Sequence, residues 1–172
     1  MILPDLSSVP AFHQGYVQLV KDRDLFDNFE HSASLTQQML GKLTDDRGEF
    51  AYAPGKWTIK ELLCHMLDTE RILAYRALRF ARNDSTPLPG FEENDYAPEA
   101  NAHNRTVASI AAEMGRLRLT TIDLYRSFTP AMLQRSGLAS NNKLSVQTLG
   151  FVISGHETHH RKILVERYDV KP

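Results

Sequence analysis

A chain of 172 residues, 42% apolar and 24% charged, has the size and composition of one compact domain spanning residues 1–172. Its formal charge of -1, with acids and bases interspersed, offers no basic face to nucleic acid or to an anionic membrane. A single cysteine, Cys64, excludes an internal disulfide framework, and no apolar run nears the roughly 20 residues of a membrane span.

The opening MILPDLSSVPAF lacks the charged start and apolar stretch of a secretory signal, so the expected compartment is the cytoplasm. A first helix is expected from about Asp22 to Leu43, where Leu25, Phe29, Ala33, Thr36, Met39, Leu40 and Leu43 recur at three- and four-residue steps. The second has the clearest start. In GKWTIKELL, Thr58 caps the helix, Glu61 reaches back to close a capping box, and Trp57 staples onto Leu62. It should run to about Arg82, with an apolar arc of Ile59, Leu62, Leu63, Met66, Leu73, Ala77 and Phe80. His65 sits on the flank of that arc with Thr69, Ile72 and Arg76, while Glu70 falls inside it.

Next comes NDSTPLPGFEENDYAPEANAHN, about 22 residues and longer than a bundle turn requires. Such a segment acts as a lid or packs passively on one end, and its Phe91 and Tyr96 either line an entrance or anchor the loop. The third helix is expected from about Thr106 to Phe128. Arg118 lies in its apolar arc near Val107, Ala111, Met114 and Tyr125, so Arg118 and Glu70 are expected to pair, since an isolated buried charge is very unfavourable. The fourth runs from Ser145, its N-cap, to about Tyr168. No segment alternates convincingly as a strand. Four such helices define an all-α four-helix bundle with a long loop between the second and third.

The fourth helix carries His156-Glu157-Thr158-His159-His160, a literal H-E-x-x-H, the zinc-protease spacing that puts two imidazoles on one helix face. His156 and His160 fall inside the arc of Val146, Leu149, Val152, Ile153, Ile163 and Leu164. His159 falls at its margin, and Arg161 and Lys162 lie away from it. Two imidazoles from adjacent turns suit one metal ion. The extended metzincin pattern fails, because Ile163 and Glu166 occupy the places of its Gly and third His. The one Glu after His160, Glu166, points away from the ligand arc, so the third ligand must lie upstream. His65 is the best placed, and His103 in the long loop is the weaker alternative. Glu157 projects to the far side of the arc from His156, which favours a structural hydrogen bond or ion pair over the role of base. His159 is a candidate general base. Cys64 diverges by about 100° from His65 and is read as structural.

The segments GKWTIKELLCHMLDTERILAYRALRFARND, TPLPGF and GHETHHRKILVERY, in this order, resemble the DinB-like (DinB/YfiT) superfamily of four-helix-bundle metalloproteins over Gly55 to Tyr168. The resemblance implies one divalent metal held by a histidine of the second helix and two histidines four apart on the fourth, matching His65, His156 and His160. It also implies an up-down-down-up bundle and a homodimer. Described members include thiol-dependent S-transferases that use a low-molecular-weight thiol. An open-sided His₃ metal either holds a thiol as thiolate or lowers a water's pKa toward about 7. The expected activity is therefore thiol S-transfer to a small electrophile, with metal-dependent hydrolysis second and a non-catalytic metal-stabilised bundle third. Zinc and nickel head the metals that suit imidazole.

Overall fold

The computed structural model describes residues 3–171. Its helices are α1 (Ala11–Gln18), α2 (Leu25–Leu40), α3 (Asp45–Gly48), α4 (Ile59–Ala81), α5 (Glu93–Glu99), α6 (Val107–Arg126), α7 (Pro130–Gln134) and α8 (Val146–Tyr168). The four long ones, α2, α4, α6 and α8, are the bundle expected from periodicity. Their starts are fixed by side chains that satisfy otherwise orphaned amides. Asp24 caps α2 and Thr106 caps α6, Ser145 accepts from the Thr148 amide at 3.0 Å, and the Thr58–Glu61 capping box forms on α4.

Side-chain contacts give the direction of each helix. Gln37, late in α2, donates to the carbonyl of Ala111, early in α6, at 2.8 Å, while Glu30 and Arg126 meet at their opposite ends, so the two run antiparallel. Tyr168, ending α8, donates to the carbonyl of Trp57, just before α4, at 2.8 Å, so these also run antiparallel. Arg105, just before α6, and Arg118 within it meet Cys64 and Glu70 in the same order along α4, and Ser32 and Thr36 meet Glu157 and Arg161 in the same order along α2 and α8. The bundle is therefore up-down-down-up.

That topology explains the long second connection. Consecutive helices α4 and α6 are parallel neighbours, so the chain must travel back the full length of α4, about 34 Å at 1.5 Å per residue, before α6 begins. Helix α5 and a 3₁₀ turn at Ala102–Asn104 lie on this return.

The core falls into two apolar halves. One is built on Leu25, Phe29, Leu73, Phe80, Tyr125 and Leu149, the other on Met39, Leu63, Leu67, Ile110 and Leu164. Between them lies a layer of buried polar side chains that includes Ser32, Thr36, Thr69, Arg118, His156, Glu157 and His160.

Two features depart from the expectation of a bundle of four helices alone. Strands β1 (Ser136–Ala139) and β2 (Asn142–Ser145) form an antiparallel hairpin. Its two turn residues, Ser140 and Asn141, both have positive φ, the geometry that matches strand twist in a two-residue turn. The strands are four residues each, too short for alternation to register. A Cβ on Gly137 would collide with the Phe80 ring, so this glycine lets the hairpin seat on α4. Leu88 of the return segment pairs with β1 through Leu138 and Ser140, which ties the loop to the hairpin.

The second departure is α1, which packs along α8 and, with α2, α4 and α7 on the other sides, leaves every residue from Val146 to Glu157 buried. A Cβ on Gly155 would collide with the Tyr16 carbonyl, so the glycine permits the close approach of the two backbones. Among the described residues no helix is long and apolar enough to cross a membrane.

Candidate metal centre and its cavity

His65 reaches inward from α4, and His156 and His160 from adjacent turns of α8. The Nε2 atoms of His65 and His160 lie 3.1 and 3.0 Å from Nε2 of His156. All three donor atoms lie within 4.8 Å of one another, and this is the one such cluster of potential ligands among the described residues. His103 is elsewhere: exposed on the return segment, it bonds Glu49 at 2.6 Å.

Burial, then the neighbouring imidazoles His65 and His159, depress the pKa of His160 to about 3. Burial followed by its three histidine neighbours holds His156 far below the usual range, and burial lowers His65 as well. All three rings are thus neutral near pH 7, each with one N–H and one lone pair. His156 Nε2 cannot complement both neighbours at once, for it carries either one proton or one lone pair. His160 Nδ1 is also buried, with no hydrogen-bond partner among the described residues. A single cation that accepts three Nε2 lone pairs resolves the first conflict, so these residues fit a divalent ion.

The imidazoles face a cavity of about 530 Å³, within the usual range for small-molecule sites. Tyr16 of α1 closes one side, its ring 5.5 Å from that of His156 and 5.4 Å from that of His159. Burial, then the charge of Glu93, push the Tyr16 phenol up, so it keeps its proton. His159 also lines the cavity, half-buried, its ring 5.0 Å from His160, and burial lowers its pKa. Of the loop aromatics, Phe91 lines this cavity, while Tyr96 packs on Phe91 at 5.3 Å and is itself largely exposed. Cys64 is buried, and burial raises its thiol pKa, the reverse of what a nucleophile needs.

Glu157 lies in a different environment from its neighbour His156. Its carboxylate accepts from Ser32 Oγ at 2.6 Å and pairs with Arg118 Nη1 at 2.8 Å. Arg118 also binds Glu70 through Nε at 2.9 Å and Nη2 at 2.8 Å, and donates to the Phe29 carbonyl at 3.0 Å. One guanidinium on α6 thereby ties together α2, α4 and α8. Burial works against the Arg118 charge, but Glu157 and Glu70 outweigh it and raise its pKa. Burial likewise opposes the Glu157 charge, but Arg118, Ser32 and Thr36 outweigh it and bring the carboxyl below its ordinary value. Arg161, projected away from the core, instead reaches back to the Ser32 carbonyl and Thr36 Oγ1, each at 3.3 Å.

Several cavity residues lay outside the sequence expectations. His13 and Tyr16 come from α1, a helix too short for its period to stand out, and Ser140 and Asn142 come from the hairpin. Arg76 and Thr69 were legible only as companions of His65 on one stripe of α4, and that stripe proves to be a cavity wall.

This arrangement agrees with comparisons to known proteins. A family model for the DinB superfamily matches residues 28–164, and the chain belongs to that superfamily. A protein of Oceanobacillus iheyensis whose name proposes metal-dependent hydrolysis is 25% identical over 125 residues, 72% of this chain and 71% of its own. YfiT from Bacillus subtilis, described as a probable metal-dependent hydrolase with an unusual four-helix bundle topology, matches with a TM-score of 0.68 at 14% identity. The match covers 95% of this chain and 88% of that one.

Proposed function

We propose that the protein is a metal-dependent enzyme acting on a small molecule, with His65, His156 and His160 as the metal ligands. The observation that carries this is the convergence of three imidazole Nε2 atoms on an open cavity. A divalent ion held there supplies Lewis acidity that activates a water or a thiol. His159, in the cavity wall, is placed to accept a proton from that group, and the Tyr16 phenol to donate a hydrogen bond. Glu157 is proposed to act by position only, since Arg118 and Ser32 occupy its carboxylate.

Hydrolysis stands first among the reactions, because the names of both similar proteins point there. Thiol S-transfer stands second: the cavity is large enough for a low-molecular-weight thiol and an electrophile together. The same reading has a cytoplasmic homodimer holding zinc or nickel, one domain per chain, with neither nucleic acid nor membrane as partner.

Elemental analysis of the purified chain should find about one divalent ion per protomer. Ala in place of His65, His156 or His160 should release it while the helical circular dichroism persists. Full metal retention by all three variants would overturn the ligand set. Ester and amide substrates offered with and without added thiols then separate hydrolysis from transfer.

A further inference from the structure

Three turns beyond His65, about 16 Å along α4, Arg76 forms the far wall of the same cavity. It is 5% exposed, and no acidic side chain among the described residues pairs with it: its Nη2 donates to the Pro89 carbonyl at 2.9 Å and to Ser140 Oγ at 3.0 Å. Arg118 is buried to a similar depth yet has two carboxylates. A guanidinium stays ionised even when buried, so Arg76 brings its charge to the cavity, and among the described residues only its Nη2 is engaged in hydrogen bonds. Beside it His13, 7% exposed, also lines the cavity, and its Nδ1 has no hydrogen-bond partner among the described residues.

We propose that Arg76 and His13 bind a carboxylate of the substrate, so that the cavity takes an elongated monocarboxylate whose reacting group lies at the imidazole cluster. The proposal rests on the cavity being the reaction chamber. The planar guanidinium fork matches the two oxygens of a carboxylate. One fixed charge beside an imidazole fits one negative charge better than the two of a phosphate monoester. Burial and the Arg76 charge keep His13 neutral, which agrees with this stoichiometry. Glu93, exposed on the cavity wall, acts on His65 and Tyr16 and opposes a second anionic group at the imidazole end. Leu73, Val152 and Phe91 supply apolar wall for the substrate body.

The test is calorimetric titration of the full-length chain with hexanoate and with hexanamide, both as purified and after metal removal by a chelator. Hexanoate should bind about ten-fold tighter than hexanamide in both forms. Arg76→Gln should bind the two equally, and His160→Ala should keep the preference. In the wild type, the Arg76 Nε resonance should shift with hexanoate and stay still with hexanamide, a readout that needs no variant to fold. Equal binding by the wild type, an unmoved resonance, or a preference that survives Arg76→Gln but disappears in His160→Ala would overturn the proposal. Because the metal-free protein is included, a chain that never holds a metal would still give a readable answer here.

Discussion

The polar layer of this bundle has two ends built from the same pair of helices, and they solve the problem of burial in opposite ways. At one end Glu70 of α4 and Glu157 of α8 enclose Arg118, so every charge has a partner and the backbone and hydroxyl groups of α2 complete the set. At the other end His65 of α4 and His156 and His160 of α8 face one another as neutral rings whose Nε2 atoms cannot all be satisfied mutually. The first end is closed and sits among all four bundle helices. The second opens onto a cavity roofed by α1. A self-satisfied polar cluster locks helix register, whereas an unsatisfied one is a place prepared for a ligand.

The largest effect should come from breaking the closed end. Arg118→Met leaves two carboxylates, 12% and 8% exposed in the native chain, without their counter-ion. The expected loss is about 3–5 kcal/mol of unfolding free energy in urea. Replacing Glu70, Arg118 and Glu157 together with apolar residues of similar volume should recover most of it. Metal content per folded protomer should not change in either variant. Loss of the metal in the correctly folded fraction would show that the two ends are coupled.

A second, smaller effect separates the ends by pH. His160 titrates near 3 in the folded chain, far below an ordinary imidazole, so between those values the unfolded chain binds the extra proton. Stability of the metal-free protein should therefore be full above about pH 6.5 and fall as pH drops toward 3, by about 1.4 kcal/mol per pH unit for each such histidine. His160→Gln should flatten this slope while leaving the value at pH 7 less affected. An unchanged slope, measured by urea unfolding from pH 7 to pH 4.5, would mean that the ring is not held neutral.

The two ends were not equally legible in the sequence. His156 and His160 stand out because an i, i+4 pair inside an apolar arc needs a partner, and Glu70 and Arg118 stand out as charges inside arcs. The pairing of Glu70 with Arg118 followed from the cost of burying either alone. What sequence could not supply was the third dimension of the cavity. Helix α1 spans eight residues and offers fewer than three turns of period, yet it supplies His13 and Tyr16 and converts one face of α8 from surface to interior. Its trace lies in Gly155: a helix-weakening residue in the middle of a 23-residue helix, required by the Tyr16 backbone. The return segment is visibly too long for a turn in the sequence, but its length follows from the parallel pairing of α4 and α6, a property of topology that periodicity does not encode.

The finest distinction concerns Glu157, the residue that makes the motif look like that of a protease. In an H-E-x-x-H protease that glutamate is the general base, and its amide counterpart would lose the reaction while keeping the metal. Here the carboxylate belongs to the closed end, so Glu157→Gln should act on stability instead. The amide still accepts from Ser32, and Arg118 keeps both bonds to Glu70, so the cost should be about 1–3 kcal/mol, less than loss of Arg118 itself. Metal content and, once a substrate is found, turnover at saturating substrate should stay close to wild type at temperatures where the variant is folded. Substitution of His159, which faces the cavity, should instead lower turnover with little change in unfolding free energy. A folded Glu157→Gln chain that keeps its metal but loses turnover would place the glutamate back at the reacting group, and would mean that the ion pair with Arg118 opens during the reaction.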